Sequence, residues 1–141
     1  MSVTRLPCYC ATLRQAARSL TAMYDERLRP AGIRVTQFTI LQVLALQPGA
    51  RITDMVEWLA MDQTTLTRTL ALLERHGLVE VIRRPTGRDK CWGLTRQGRA
   101  KLAEAKPLWE AAQTQVEQRF GHQRTRAAYA QAFELAASFS S

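Results

Sequence analysis

The sequence predicts a mainly α-helical fold that contains a winged helix-turn-helix with a short β-hairpin wing and additional N- and C-terminal helices. Three observations predict it. Apolar residues recur at helical spacing over most of the 141 residues. Residues 78–94 change to the period of a strand pair. The order of short helix, three-residue turn, second helix and basic hairpin is the one by which a winged helix-turn-helix enters DNA. The length fits one domain, residues 1–141.

The first two predicted helices precede this motif. The first runs from Cys8 to about Arg29 and is ended by Pro30, Ala31 and Gly32. One face of it is apolar: Tyr9, Leu13, Ala17, Leu20, Tyr24 and Leu28. The second helix is expected to open at Thr36, a good N-cap, and to continue to Pro48. It is apolar on nearly every side, which predicts a place in the middle of the fold.

The next two helices form the helix-turn-helix. Thr53 or Asp54 is expected to cap the short third helix, which carries Met55, Val56, Trp58 and Leu59. After a tight connection at residues 60–62, the fourth helix spans Gln63 to His76, and Gly77 ends it. Leu66, Leu70 and Leu73 lie on one side of this helix and are expected to be buried.

The wing and two long helices complete the chain. Leu78 to Arg83 and a return through Cys91, Trp92 and Leu94 predict the hairpin. Thr95 is expected to cap a helix from Arg96 towards Gln118, with a kink at Pro107. Beyond Gly121, a last amphipathic helix carries Tyr129, Phe133, Leu135 and Phe139.

The charge of the chain favours a nucleic-acid partner. The formal net charge is +8, and 17 of the 20 basic residues are arginines, whose planar guanidinium suits phosphate and guanine. From Gln63 to Arg99 there are eight basic and three acidic residues. No apolar run is long enough to cross a membrane, and the first ten residues lack the apolar stretch of a signal peptide, so we expect a cytoplasmic protein with no membrane partner.

The residues that could carry other chemistry are few. Cys8, Cys10 and Cys91 form neither a zinc pattern nor an even disulfide set, so no metal is expected. His76 and His122 are the only histidines, and there is no phosphate-binding glycine loop, HExxH pattern or serine elbow. We therefore expect no enzyme and no cofactor.

The candidate DNA-binding residues lie on the fourth helix and the hairpin. When the leucines of the fourth helix are buried, its early polar side chains face solvent and can enter a major groove: Gln63, Thr64, Thr65, Thr67 and Arg68. Cap or surface duty is the alternative for each threonine. On the hairpin, Arg84, Arg88 and Lys90 can reach a minor groove or its phosphates, unless some of them pair with Asp89 or Glu80.

A family resemblance is carried by residues 52–102. Its segments are Leu66-Thr67-Arg68, Leu73-Glu74-Arg75-His76-Gly77-Leu78-Val79 and Leu94-Thr95-Arg96-Gln97-Gly98. Together with the long helices on either side, they resemble the MarR family of bacterial transcription regulators. The wing departs from the family pattern, because Thr86-Gly87-Arg88-Asp89-Lys90-Cys91-Trp92-Gly93 stands where a longer second strand is usual. A shortened or shifted wing is expected.

The resemblance implies a triangular homodimer in which residues 8–30 and 95–139 intertwine, while residues 36–94 form the DNA-binding region. Each winged region would meet half of a pseudo-palindromic operator, most simply as a repressor. The apolar surface of the terminal helices favours a dimer independently. The resemblance also implies release by a small phenolic or lipophilic effector in a cleft. The aromatic candidates for that cleft are Tyr24, Phe38, Trp58 and Trp109, although core packing is the more common role of such residues.

The sequence is also compatible with peroxide sensing and with binding to an acidic protein. Some MarR relatives sense hydroperoxides through a cysteine near the start of the first helix, where Cys8 lies, and Cys10 is a candidate resolving partner. A winged-helix module that binds an acidic protein would use the same arginines. A non-specific DNA-coating protein is disfavoured, because base-capable residues such as Gln63, Thr64 and Arg68 cluster together.

Overall fold

The computed structural model describes residues 2–82 and 90–140, and the fold is mostly helical with a small antiparallel sheet. This confirms the predicted fold class. The helices of that part of the chain are α1 (Tyr9–Leu28), α2 (Val35–Leu46), α3 (Ile52–Leu59), α4 (Gln63–Arg75), α5 (Arg96–Phe120) and α6 (His122–Phe139). A 3₁₀ turn, Arg29–Ala31, follows α1, and the strands are β1 (Ala50–Arg51), β2 (Val79–Ile82) and β3 (Cys91–Leu94).

The sheet has the order β1-β3-β2, and both pairings are antiparallel. The β2–β3 hairpin pairs Val79 with Leu94 and Ile82 with Cys91. The strand β1 was not predicted, since two residues have no period to read. It pairs Ala50 with Trp92, and Gly49 extends the pairing by donating its N–H to the Trp92 carbonyl at 2.9 Å. The winged motif is thereby joined to the end of α2.

The core lies around α2, as its apolar composition predicts. Four of its side chains are buried, namely Phe38, Ile40, Leu41 and Leu44. They share one cluster with Leu28 of α1, Met55 of α3 and Ala105 of α5. From α4 the predicted residues enter this cluster: Leu66, Leu70 and Leu73. One core therefore fixes the helix-turn-helix against the terminal helices.

The predicted N-caps of two helices were wrong by two or three residues, since the observed N-caps are Arg34 and Arg51. Helix α2 begins at Val35 rather than after a Thr36 cap, because the Asp25 carboxylate accepts its first N–H at 2.7 Å. Helix α3 begins at Ile52, so Asp54 lies inside the first turn, where it accepts the Arg51 N–H at 3.1 Å. Thr53 lies inside that turn as well. In both helices a carboxylate outside the N-cap position satisfies the helix start.

The two C-terminal helices follow the predicted division at Gly121, which adopts a positive φ of 105°. Helix α5 extends two residues beyond Gln118 and continues through Pro107, which is exposed. A proline removes one helical hydrogen bond, that of its own nitrogen, and α5 is continuous on both sides of it. In the described ranges, no helix is long and apolar enough to span a bilayer.

The start of α5 is fixed to the start of the wing by a close backbone contact. The Thr95 hydroxyl accepts the Gly98 N–H at 2.9 Å and donates to the Gly77 carbonyl, while the Thr95 N–H reaches the Leu78 carbonyl at 3.1 Å. A Cβ on Gly98 would lie 2.0 Å from that same carbonyl oxygen. Thr95 and Gly98 therefore both hold the start of α5 against the backbone of Gly77 and Leu78.

Candidate nucleic-acid interface

The turn between α3 and α4 fixes the angle at which α4 leaves the core. Ala60 ends α3 in the left-handed conformation with a φ of 50°, and Met61 packs against the core beside it. Asp62 is the N-cap of α4. A left-handed residue followed by an extended cap reverses the chain within three residues, which is the geometry of a helix-turn-helix.

Helix α4 has a buried face and an exposed polar face. Its leucines at positions 66, 70 and 73 are buried, and its predicted contact residues are all exposed: Gln63, Thr64, Thr65, Thr67 and Arg68. They occupy the first two turns, before any acidic side chain of α4. The exposed surface of these turns therefore offers amide, hydroxyl and guanidinium groups, which are the groups that pair with base edges.

One of these exposed residues, Thr65, is hydrogen-bonded to Asp62, the N-cap of α4. The Asp62 carboxylate accepts the Thr65 N–H at 3.1 Å and the Thr65 hydroxyl at 2.9 Å. These two hydrogen bonds, the one from the hydroxyl first, lower the pKa of Asp62, and the charge of Arg68 lowers it further. Asp62 was not singled out from the sequence. An aspartate directly before a Gln-Thr-Thr helix start is an N-cap signal that could have identified it.

The wing is only partly within the described residues. Lys90 lies just before β3 and is exposed. Arg84 and Arg88 lie outside the described residues. His76 is the C-cap of α4.

The four aromatic residues predicted to line a cleft lie on four different helices, α1, α2, α3 and α5. Phe38 is fully buried and stacks on Trp109 with ring centroids 5.6 Å apart. Tyr24 is half-buried, which raises the pKa of its phenol, and it donates a hydrogen bond to Gln113. Trp58 is on α3 and is 50% exposed. The structure therefore gives Phe38 and Trp109 a packing role between α2 and α5.

Two grooves of the described chain lie beside α1 instead. One, of about 460 Å³, runs along the end of α1 and the start of α2, and its polar lining includes Asp25, Arg29 and Arg34. The other, of about 200 Å³, lies between α1 and α5 and is lined largely by Leu20, Met23, Val116 and Phe120. Neither groove includes any of the four predicted aromatic residues.

The cysteines fall into two groups. Cys8 is the exposed N-cap of α1, and its sulfur accepts the Ala11 N–H at 3.5 Å. Cys10 is exposed in the first turn of α1. Cys91 is buried in β3.

Comparison with known proteins supports this architecture. The model of the MarR family matches residues 33–88. The chain is 37% identical to the M. tuberculosis transcriptional regulator MosR, with a TM-score of 0.79 over 94% of this chain and 97% of that chain. For MosR in complex with DNA the identity is 38%, the TM-score 0.75 and the coverage 92% and 98%.

A more distant neighbour shows the same fold. The transcriptional repressor CouR, bound to a 23-mer DNA duplex, gives a TM-score of 0.84 at 23% identity, over 96% of this chain and 99% of that chain. A second CouR structure contains p-coumaroyl-CoA. A comparison with curated protein sequences gives no match.

Proposed function

Because the chain belongs to the MarR family of transcriptional regulators, we propose that it represses transcription by binding a pseudo-palindromic operator in double-stranded DNA as a homodimer. Members of this family are DNA-binding regulators and not enzymes, so the chain regulates transcription. The proposal concerns the finer points, which are the residues that contact DNA, the dimer, repression and control by a ligand.

The observation that carries the proposal is the two-sided character of α4. Its three buried leucines belong to the core, and its other side offers Gln63, Thr64 and Arg68 to solvent in the first two turns. Gln can pair with adenine and Arg with guanine in a major groove. Lys90 and the wing arginines Arg84 and Arg88 would then contact phosphates beside it. MosR, the relative with 38% identity, has been crystallised with DNA.

The homodimer is supported by the apolar surface of the terminal helices. In the single chain α6 has no buried residue, and Tyr129, Phe133 and Phe139 are 76%, 69% and 83% exposed. Solvent-exposed apolar surface of this extent is typical of a subunit interface. We assign residues 8–30 and 95–139 to dimerisation and residues 36–94 to DNA binding. The two copies of α4 would lie about 34–36 Å apart, one turn of DNA.

Control by a small ligand is proposed for the region where α1 meets α5. CouR, which shares this fold, holds p-coumaroyl-CoA. A phenolic or lipophilic effector in the groove between α1 and α5 would contact Leu20, Met23 and Phe120. The half-buried Tyr24 and Trp109, the latter stacked on Phe38, would take part only if the site extended beyond that groove. Trp58 would contribute only from the separate surface of α3.

Binding assays test the main proposal. Fluorescence anisotropy at about 150 mM salt should show a preference of roughly a thousandfold for an operator duplex over a scrambled one. Arg68→Ala should weaken operator binding by about 1–3 kcal/mol and relax the base preference. Lys90→Ala, the matched control, should weaken binding evenly on all sequences and reduce its salt dependence. Equal losses on operator and scrambled duplex for both variants would contradict base reading by Arg68.

A second candidate, control by thiol oxidation, is favoured by the position of Cys8. Its sulfur is exposed at the N-terminus of a 20-residue helix, where a hydroperoxide can reach it. A hydroperoxide would oxidise the Cys8 thiol to a sulfenic acid and leave as the alcohol. A Cys10 thiol, in the same chain or its partner, would then form a disulfide and release water.

Oxidant sensitivity of DNA binding separates the two modes of control. Hydroperoxide should release wild-type protein from the operator, and dithiothreitol should restore binding. Cys8→Ser should stay bound under the same treatment, while Cys91→Ser should behave as wild type does. Release of Cys8→Ser by hydroperoxide would argue against this candidate.

A further inference from the structure

The hydroxyl of Thr65 is already committed within the protein. A threonine hydroxyl has one hydrogen to donate, and this one is donated to the Asp62 carboxylate at 2.9 Å. The Thr65 N–H donates to the other carboxylate oxygen at 3.1 Å, so two bonds hold the same pair of residues. Since the pKa of Asp62 is lowered mainly by the hydroxyl bond, the carboxylate stays ionised and keeps this hydrogen at neutral pH.

This commitment limits what Thr65 can offer to a base. Most major-groove features are acceptors: guanine O6 and N7, adenine N7 and thymine O4. A hydroxyl whose hydrogen is already used cannot donate to any of them. Thr65 is nevertheless exposed on the face of α4 that carries Arg68. What it can still offer is its methyl group, together with a hydroxyl oxygen that can only accept. The apolar feature of the major groove is the C5-methyl group of thymine.

We propose that Thr65 is a specificity-determining residue that selects a thymine through its methyl group, and that Asp62 is the residue that positions it. The inference rests on the proposed function, since it requires α4 to enter the major groove. It reverses the simplest expectation for an exposed threonine, which is recognition through the hydroxyl. Asp62 acts through Thr65 by holding its oxygen towards the helix start, which leaves the methyl as the presented group.

Replacement of thymine by deoxyuridine tests the proposal, because it removes only the C5-methyl group. An operator is first selected from random duplexes by wild-type protein, and each thymine is then replaced singly. At one thymine per half-site, wild-type affinity should fall about fourfold, the value of one buried methyl group. Thr65→Ser should bind thymine and uracil equally there, and Thr65→Val should keep the wild-type ratio.

Two further variants serve as controls for this measurement. Thr69→Ser, which removes a methyl from a half-buried threonine one turn further along α4, should leave the thymine-to-uracil ratio at that position unchanged. Asp62→Gly removes the carboxylate with a residue that is tolerated at N-caps, and it should bring the ratio towards one while the helical circular dichroism is kept. Partial unfolding of α4 would weaken binding to thymine-containing and uracil-containing operators alike, so it would not change the thymine-to-uracil ratio at this one position.

The outcomes are separable. If Thr65→Ser keeps every thymine-to-uracil ratio of the wild type, or if Thr65→Val loses a ratio that Thr65→Ser keeps, methyl recognition by Thr65 is overturned. If affinity responds instead to removal of an adenine or cytosine amino group in a Thr65-dependent way, the hydroxyl oxygen is the contact and the proposal is overturned. If wild-type protein selects no duplex over scrambled DNA, the proposed function fails and the inference fails with it.

Discussion

Replacement of Gly98 by alanine should force the start of α5 away from the start of the wing. The added Cβ would lie 2.0 Å from the Leu78 carbonyl oxygen and 3.0 Å from its carbon. Ordinary contact begins at 3.4 Å, so the two segments must separate by about 1.4 Å, the difference from 2.0 Å. Both atoms belong to backbone, so no side-chain rotation can relieve the overlap.

The cost follows from what holds this junction together. Separation weakens the Thr95 N–H bond to Leu78 and the Thr95 hydroxyl bond to Gly77, each worth about 1 kcal/mol net. Overpacking adds about 1–3 kcal/mol, and the better helix propensity of alanine returns about 1 kcal/mol. We expect a net loss of about 2–4 kcal/mol in the free energy of unfolding. At roughly 3 °C per kcal/mol for this chain length, the Tm should fall by about 6–12 °C.

Urea and thermal unfolding, followed by circular dichroism, measure this loss. Ala103→Gly is the matched control, because Ala103 is exposed on the same helix and the change tests propensity alone. It should cost about 1 kcal/mol or less. If Gly98→Ala is as stable as wild type, or more stable, then the close approach of α5 to Leu78 is not what requires glycine at this position.

Three other changes test the cap of α4, the proposed dimer and the core. The lowered pKa of Asp62 means that its cap contributes stability above about pH 4, and that this contribution is lost as the pH falls through the folded-state pKa. Asp62→Asn should therefore flatten the acid side of the stability curve, measured as urea midpoints between about pH 2 and 6. Phe133→Asp should shift the protein from dimer to monomer in size-exclusion chromatography with light scattering, whereas Gln131→Asp, on the other side of α6, should not. Phe38→Ala should lower the free energy of unfolding by about 3–5 kcal/mol, because Phe38 is fully buried against Trp109.

The elements with a clear period and a clear stop signal were predictable from the sequence. Helix α4 begins at Gln63 as predicted and ends one residue before the predicted His76, because its leucine spacing and Gly77 are local signals. The start of α2 was not predictable in the same way. Asp25 reaches the start of α2 from ten residues away in the chain, and no local pattern encodes that contact.

The sequence predicts which residues of α4 are exposed, but not which of their chemical groups are available to DNA. Burial of one face of a helix follows from steps of three and four residues between apolar positions. The exposed residues of α4 were therefore identified from its leucines alone. Which exposed group remains available depends on hydrogen bonds, and the bond from Thr65 to Asp62 is visible only in three dimensions. The aromatic cleft was proposed from helical spacing, which does not distinguish a ligand site from the stack of Phe38 on Trp109.

The apolar face of α6 connects stability with function in the proposed regulator. Periodicity shows that a helix has an apolar face, but not whether the same chain or a second copy covers it. Here no α6 residue is buried by its own chain. Under the proposed dimer, the same contact that covers this face also joins two α4 helices, so binding of the second half-site becomes intramolecular. A single α4 contacts few bases, and each good pairing contributes only about 1–3 kcal/mol of discrimination. Operator preference of the proposed size therefore depends on the terminal helices as much as on α4, although they do not touch a base.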